Sequence, residues 1–167
     1  MPVTSSGSAK VTLPADDQIL VTREFDAPKH LVYRAFTTPE LVRRWWHANR
    51  GEMTVAEIDL QVGGKWRYVM IADGGMEVGF HGEYREIVPN ERIVSTETFE
   101  GLPEGVSEED GTTVNTATFA EQDGRTTLTL LIQAPSKVTR DAIVDSGMEA
   151  GLQDALDNLE QVAVSLG

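Results

Sequence analysis

Alternation between apolar and polar positions predicts that most of the chain is β-strand. Two strands are predicted at Gln18–Phe25, whose apolar positions 19, 21 and 25 alternate with positions 20, 22 and 24, and at Arg92–Phe99, which follows a turn at residues 89–90. The same period predicts five further strands, and short turns rich in Gly, Asn or Asp between most of them indicate hairpins and an antiparallel sheet. These five strands are predicted at residues 53–60, 65–71, 76–88, 112–120 and 126–133.

Helical spacing appears in two parts of the chain. Between the first and second strands, residues 26–28 and 38–40 are typical helix starts, and a short apolar stripe follows each of them. After residues 134–136, a stretch of about 30 residues without proline carries apolar side chains at helical spacing. The predicted order is one strand, two short helices, six strands and one long C-terminal helix.

The long C-terminal helix is the one predicted element large enough to cover the apolar face of the sheet. We therefore predict an α+β domain at residues 17–167, in which a curved antiparallel sheet grips this helix, and a flexible arm at residues 1–16. Gly147 and Gly151 share one face of the helix. They indicate either a tight contact with the sheet or a space left for a bound molecule.

Composition narrows the classes of function. The chain has 167 residues, no cysteine and a net charge of −13, which excludes disulfides and thiolate chemistry. The acidic excess argues against binding to nucleic acid or anionic lipid and leaves a cationic partner as an alternative to simple solubility. No apolar run reaches the about 20 residues of a membrane span. The first residues lack the apolar stretch of a signal peptide, so we expect a cytoplasmic protein.

Aromatic and apolar side chains predict a ligand pocket on the covered face of the sheet. Trp66, Tyr68 and Met70 share one face of their strand, and the Trp45-Trp46 pair after the second short helix is placed to close an entrance. The alternative is that these side chains fill a solid core. The predicted lining residues are Trp45, Trp46, Trp66, Tyr68, Met70, Phe80, Tyr84, Phe99, Met148 and Leu152.

Three polar residues are candidates for the same pocket: Arg23, His47 and Glu86. By strand parity Arg23 faces inward, where a guanidinium needs a carboxylate partner such as Glu86 or Glu97, or orients a polar group of a ligand. No histidine has a second ligand at metal-binding spacing, and no phosphate loop, nucleophile elbow or dinucleotide motif occurs. We therefore predict neither a metal nor a cofactor.

Several longer motifs occur in order along the chain. They are TREFDAP at 22–28, VYRAFTTPEL at 32–41, WW at 45–46, DLQVGGKW at 59–66, GEYREIVPNERIV at 82–94 and SGMEAG at 146–151. In these motifs the chain resembles the bacterial single-domain relatives of the activator of the heat-shock-protein-90 ATPase, within the START/Bet-v-1-like (SRPBCC) superfamily. The resemblance implies a helix-grip fold with a cavity between the sheet and the long helix.

Members of that superfamily bind lipids, sterols, polyketides or hydrophobic hormones, and others are enzymes. The resemblance therefore implies binding of a small hydrophobic or amphipathic molecule. The alternative is a cofactor-independent cyclase, dehydratase or hydrolase acting on a polyketide-like or other apolar substrate, with Tyr68, Tyr84, His47 or Glu86 as acid–base groups.

The resemblance also bears on partners. Chaperone activation is not expected, because the eukaryotic activator uses a separate N-terminal domain and only a short arm precedes Ile19 here. Leu152 replaces a tryptophan that is frequent in this branch, which reshapes the predicted pocket floor. A homodimer formed through the Trp45-Trp46 pair and a protein contact through the acidic loop at residues 100–110 remain alternatives.

Overall fold

The structure, a computed structural model, describes residues 9–102 and 104–167, and these form one antiparallel sheet with helices on one face. The strand order is β1-β2-β8-β7-β6-β5-β4-β3. The strands are β1 (Lys10–Thr12), β2 (Gln18–Phe25), β3 (Gly51–Ile58), β4 (Lys65–Ala72), β5 (Glu77–Val88), β6 (Arg92–Phe99), β7 (Thr112–Gln122) and β8 (Arg125–Gln133). The helices are α1 (Lys29–Thr37), α2 (Pro39–Val42), α3 (Lys137–Asp145) and α4 (Met148–Ser165).

The predicted α+β helix-grip arrangement is confirmed. β2 and β6 have the predicted bounds, and the other predicted strands differ by a few residues at their ends. The first connection holds the two short helices, of which α2 is a single turn. Turns stabilised by backbone hydrogen bonds from Trp45 N and Trp46 N to Val42 O continue the chain beyond α2.

The segment predicted as an N-terminal arm contains strand β1. Lys10–Thr12 pair with residues 20–22 of β2, and Val11 is 1% exposed. Ahead of the strand, the Ala9 backbone N–H donates to Gln153 Oε1 on α4 at 3.0 Å, and Gln153 Nε2 donates to Ala9 O at 2.8 Å. The sheet therefore includes residues ahead of the predicted boundary at residue 17. Residues 1–8 lie outside the described part, and the arm remains a prediction there.

The prediction of one continuous C-terminal helix is wrong, because α3 ends at Asp145 and α4 begins at Met148. Gly147 between them has a φ of 84°, a left-handed conformation that ends a helix and that glycine adopts without steric cost. A Cβ added at Gly147 or Gly151 would meet no atom within 4 Å. The expected tight contact between these glycines and the sheet is therefore also absent.

One end of the concave face is filled by the helices. The α1 rings of Tyr33 and Phe36 meet the Phe119 ring edge-on, with centroids 5.4 and 5.6 Å apart. Five large side chains at this end, from β2, β7, β8 and α4, are at most 1% exposed: Phe25, Phe119, Leu128, Leu156 and Leu159. This region is the solid core that fixes the sheet against α1 and α4.

Candidate functional site

The sheet register decides which side chains face the helices. Directly opposed residues of antiparallel strands share a face, and the β4–β5 pairs Tyr68–Phe80 and Trp66–Gly82 place both strands' aromatic positions on the concave side. The pair Phe80–Phe99 extends this face to β6. The predicted grouping of aromatic residues from three strands on one face therefore follows from period-two alternation.

Five aromatic rings form a continuous set, which we call the aromatic wall: Trp46, Trp66, Tyr68, Phe80 and Phe99. The centroid of the Trp46 ring lies 5.6 Å from that of Tyr68 and 5.7 Å from that of Phe80. Tyr68 lies 4.8 Å from Trp66, and Phe80 lies 5.1 Å from Phe99. Trp46, in the turn after α2, thus joins two neighbouring strands of the sheet.

The concave face is less filled at the wall than at the Phe119 end. Trp46, Phe80 and Met70 are half-buried although they face inward, and Phe99 is 37% exposed. Leu130 and Ile132 of β8 and Met148 and Leu152 of α4 are also only half-buried. These exposures describe a concave face that is packed at one end and accessible to solvent at the other.

Trp45 does not belong to the aromatic wall. Its indole Nε1 donates to Ala35 O at 2.9 Å, and its ring stacks on Phe36 with centroids 5.7 Å apart. The side chain is buried, so it anchors the turn after α2 to α1. Its neighbour Trp46 is therefore free to point at the sheet.

Trp66 of β4 forms the base of the wall, and its indole reaches across β5 to contact β6. Its indole Nε1 donates to Thr96 O of β6 at 3.1 Å, passing over Gly82 of β5. A Cβ at Gly82 would lie 1.8 Å from Thr96 O and 2.6 Å from Trp66 Nε1. Gly82 is therefore required by a close approach rather than by a turn.

Polar groups also occupy the concave face, beside the wall. Tyr68 and Tyr84 carry hydroxyl groups there, and burial raises the pKa of both phenols well above the ordinary value. Glu97 of β6 accepts a hydrogen bond from Asn115 Nδ2 at 3.2 Å. Burial raises the pKa of the Glu97 carboxyl, and the hydrogen bond from Asn115 partly opposes this.

The structure brings Glu97 to the site, although the sequence suggested it only as a partner for Arg23. Glu97 shares strand parity with Phe99, so the alternation in β6 was the signal for its inward orientation. Asn115 follows from pairing, because Ser95 opposite it is also on the concave face. The hydrogen bond between these two side chains was not predictable before the strand register was known.

Glu86 lies outside the site, which corrects its prediction as a pocket residue. In an unbroken strand it would share parity with Tyr84 and face inward. A register shift between Tyr84 and Glu86 reverses the parity, and the Glu86 side chain is 45% exposed and paired with Arg92. The bulge falls two residues after Gly82.

Arg23 faces inward, but its partners are on α4 rather than at Glu86 or Glu97. Its Nη2 lies 2.6 Å from Asp157 Oδ1 and 3.4 Å from Glu160 Oε1, and its Nη1 donates to Glu24 O at 2.7 Å. The guanidinium also lies over the Phe25 ring, 4.7 Å from the centroid. These contacts make Arg23 a link between β2 and α4.

The three histidines lie in different parts of the structure. His30 is exposed, and His47 Nδ1 accepts from Asn49 N at 2.9 Å within the turn after α2. His81 lies on the convex face, where its Nδ1 is 2.9 Å from Glu100 Oε2. In the described residues, no group of three or more His, Asp or Glu side chains is placed to hold a metal ion.

A surface cleft of about 790 Å³ lies against the convex side of β4, β5 and β6. It contains an ion cluster in which Glu100 accepts two hydrogen bonds from Arg67, both at 2.9 Å, and one contact from His81. Of the predicted pocket residues, its lining includes Trp66 alone. The convex cleft is therefore separate from the predicted site.

Replacing Glu100 with Gln is expected to lower the free energy of unfolding at pH 7 by about 1 kcal/mol, since water screens a half-exposed ion cluster. The hydrogen bonds from Arg67 lower the pKa of Glu100 to about 2. Desolvation acts in the opposite direction, and the contact with His81 lowers the pKa further. The stabilisation is fully present when the pH is above the pKa that Glu100 has in the unfolded chain. It is lost as the pH falls through the lower pKa that Glu100 has in the folded protein. Urea unfolding of both proteins at pH 7 and pH 3 measures this change.

The matched control for this prediction is Glu104→Gln, because Glu104 is exposed and its substitution removes the same charge. It should leave the free energy of unfolding unchanged at both pH values. An equal loss in the two variants, or a loss in Glu100→Gln that does not shrink in acid, would contradict the assigned role of the cluster.

In the described part of the chain, no helix has the length and apolar character needed to cross a bilayer. The 18 residues of α4 are amphipathic, with Asp157 and Glu160 on the polar side and Leu156 and Leu159 buried. This helix therefore covers the sheet in the way that the fold requires.

Comparison with solved structures shows the same fold. A protein from Rhodobacter sphaeroides is 23% identical with a TM-score of 0.84, covering 95% of this chain and 99% of that one. One from Chromobacterium violaceum is 29% identical with a TM-score of 0.76, covering 89% and 98%. An AHSA1-like protein from Aeromonas hydrophila is 22% identical with a TM-score of 0.67, covering 89% and 94%.

No match was found among curated protein sequences. The sequence profile described as "Activator of Hsp90 ATPase homolog 1-like protein" matches residues 26–163. The matched region contains α1, the six strands β3 to β8, and nearly all of α4 by its bounds. The resemblance predicted from the motifs is confirmed: the chain belongs to the AHSA1 family, within the SRPBCC/Bet-v-1-like superfamily.

Proposed function

We propose that the protein binds a small hydrophobic or amphipathic molecule between the aromatic wall and the start of α4. The observation that carries the proposal is the half-burial of inward-facing apolar side chains at this end of the concave face, Trp46, Phe80 and Met70 among them. Apolar side chains that face inward but remain accessible gain further burial when an apolar guest covers them. At the Phe119 end, the large side chains from the sheet and α4 are at most 1% exposed.

The α4 side supports the same location. Gly151 lies between Met148 and Ala155 at helical spacing, and a Cβ there would meet no atom within 4 Å. Leu152, in place of the larger tryptophan of the resemblance, is half-buried. A glycine at position 151 and a leucine at position 152 leave room for a guest molecule beside this part of α4.

The enzymatic alternative has less support from the arrangement of side chains. Of its four predicted acid–base groups, Glu86 is paired with Arg92 outside the concave face, and His47 Nδ1 accepts a hydrogen bond from Asn49 N. The other two, Tyr68 and Tyr84, have raised pKa values and are poor proton donors and acceptors near neutral pH. Binding is therefore the function that the site supports better.

Replacing Trp46 with Ala is expected to weaken binding of 2-methylnaphthalene about tenfold, because one face of the aromatic contact is lost. Native mass spectrometry of freshly purified protein tests for a carried molecule, and thermal-shift titration measures the affinity for the probe. The matched control is Met76→Ala, since Met76 is 71% exposed on a turn and should leave affinity unchanged.

A protein that carries no molecule and is stabilised by no apolar probe would overturn the proposal. If Trp46→Ala and Met76→Ala weaken binding of the probe equally, the binding site is not at the aromatic wall. The unfolding midpoint of each variant without ligand shows whether a loss of binding reflects a loss of fold.

A further inference from the structure

Glu97 is an acidic side chain placed among apolar groups on the concave face. It lies on β6 two residues before Phe99, whose ring contacts Phe80 of the aromatic wall. The residue is half-buried rather than fully buried. It therefore borders the accessible end of the concave face.

Neighbouring polar groups hold the carboxylate in one orientation. Thr113 Oγ1 donates to Asn115 Oδ1 at 2.8 Å, which turns the amide so that Asn115 Nδ2 donates to Glu97 Oε1 at 3.2 Å. Thr113 is 3% exposed, so this arrangement is anchored in the sheet. One carboxylate oxygen is thus fixed by protein, and a bound molecule is able to contact the other.

The carboxylate has no cationic partner among the residues that the structure describes. The one group that favours its charged form there is the Asn115 amide, whereas desolvation disfavours it. Other acidic side chains of the chain do have such partners, as Asp157 and Glu160 have Arg23. A buried carboxylate without a counter-ion costs free energy that a positively charged group brought by a ligand would recover.

We propose that the molecule bound at the aromatic wall is a cationic amphiphile, whose protonated amine contacts the Glu97 carboxylate while its apolar body covers Trp46 and Phe80. This inference rests on the proposed binding function and adds the chemical class of the ligand. The aromatic faces beside the carboxylate favour the same class, because they attract cations. A carboxylate-bearing ligand such as a fatty acid is disfavoured by repulsion from Glu97.

A series of probes with one apolar body and different head groups tests the proposal. We expect 2-naphthylmethylamine to bind more tightly than 2-naphthalenemethanol and 2-methylnaphthalene, and 2-naphthoate to bind most weakly. Isothermal titration with Glu97→Gln should show about a tenfold loss for the amine, as expected for a charge-assisted hydrogen bond. The affinity for 2-methylnaphthalene should be unchanged in that variant, which shows that the site is intact.

The matched control is Glu86→Gln, which removes the same charge from the convex face. The amine preference should persist in this variant, because the acidic surface as a whole attracts cations only weakly through screened charge. An equal loss in both variants, or tighter binding of 2-naphthoate than of the amine, overturns the cationic-ligand proposal alone. Failure of every probe, 2-methylnaphthalene included, overturns the proposed binding function itself.

Discussion

Replacing Asp157 and Glu160 together with Asn and Gln is expected to lower the free energy of unfolding by about 3 kcal/mol. The two carboxylates are the acidic partners of Arg23, whose side chain is 3% exposed. Without them the guanidinium keeps Glu24 O and the face of the Phe25 ring, neither of which carries a full negative charge. Urea unfolding followed by circular dichroism measures the loss.

The partners of this ion pair differ in burial, which predicts different costs for removing the arginine and for removing the carboxylates. Arg23 is buried, but the side chains of Asp157 and Glu160 are 50% and 31% exposed, so water solvates them when the arginine is removed. Arg23→Met alone should therefore cost less than the double substitution, because it removes the charge that is expensive to bury. A methionine also fills part of the space of the arginine stem.

The combination of all three substitutions is the decisive control. Arg23→Met added to the double variant should recover most of the lost stability, since no buried charge then lacks a partner. If Arg23→Met alone costs more than the double variant, Arg23 stabilises the fold mainly by packing. If the triple variant is the least stable of the set, the losses are additive and the ion pair is not the cause.

Most strands of this fold were predictable because the apolar pattern and the turn residues that indicate them lie within or next to each strand. In β2 the apolar positions 19, 21 and 25 share one face, and a turn at residues 89–90 precedes β6. The predicted and observed bounds of both strands agree. β1 is three residues long, and no period is readable over so short a segment. Its strand conformation depends on pairing with β2 and on the contact between Ala9 and Gln153, residues far apart in the sequence.

The helix break, and the effect of the bulge on the side that Glu86 faces, were missed for related physical reasons. Apolar spacing continues from Ile143 through Met148, so periodicity alone does not reveal that Gly147 adopts a positive φ. Likewise, parity places Glu86 beside Tyr84 until the register shift is known. Both features change the direction of the chain at one residue. Neither alters the spacing of apolar residues from which helices and strands are predicted.

The composition of the site was predictable in part. The wall residues Trp66, Tyr68 and Phe80 follow from alternation within their own strands. The position of Trp46 over them, and of Glu97 beside them, depends on long-range packing. The pairing of Arg23 with α4 joins residues 134 and 137 positions apart, which no local pattern encodes.

Replacing Gly82 with Ala is expected to destabilise the protein by about 3 kcal/mol, at the upper end of the cost of overpacking. The added methyl group would lie 1.8 Å from Thr96 O, a backbone atom held within the sheet, so β6 or the Trp66 indole must move. Either movement breaks the hydrogen bond from Trp66 Nε1 to Thr96 O and displaces the base of the aromatic wall. Urea unfolding and the emission of Trp66 report the two effects.

Gly151→Ala is the matched control, because it adds the same methyl group where no atom lies within 4 Å. In the interior of α4 it should stabilise the protein by about 0.5–1 kcal/mol, through the higher helix propensity of alanine. The two glycine substitutions therefore have opposite expected signs. A mild effect of Gly82→Ala, with unchanged tryptophan emission, would show that the indole has another stable position and that the wall does not depend on its contact with β6.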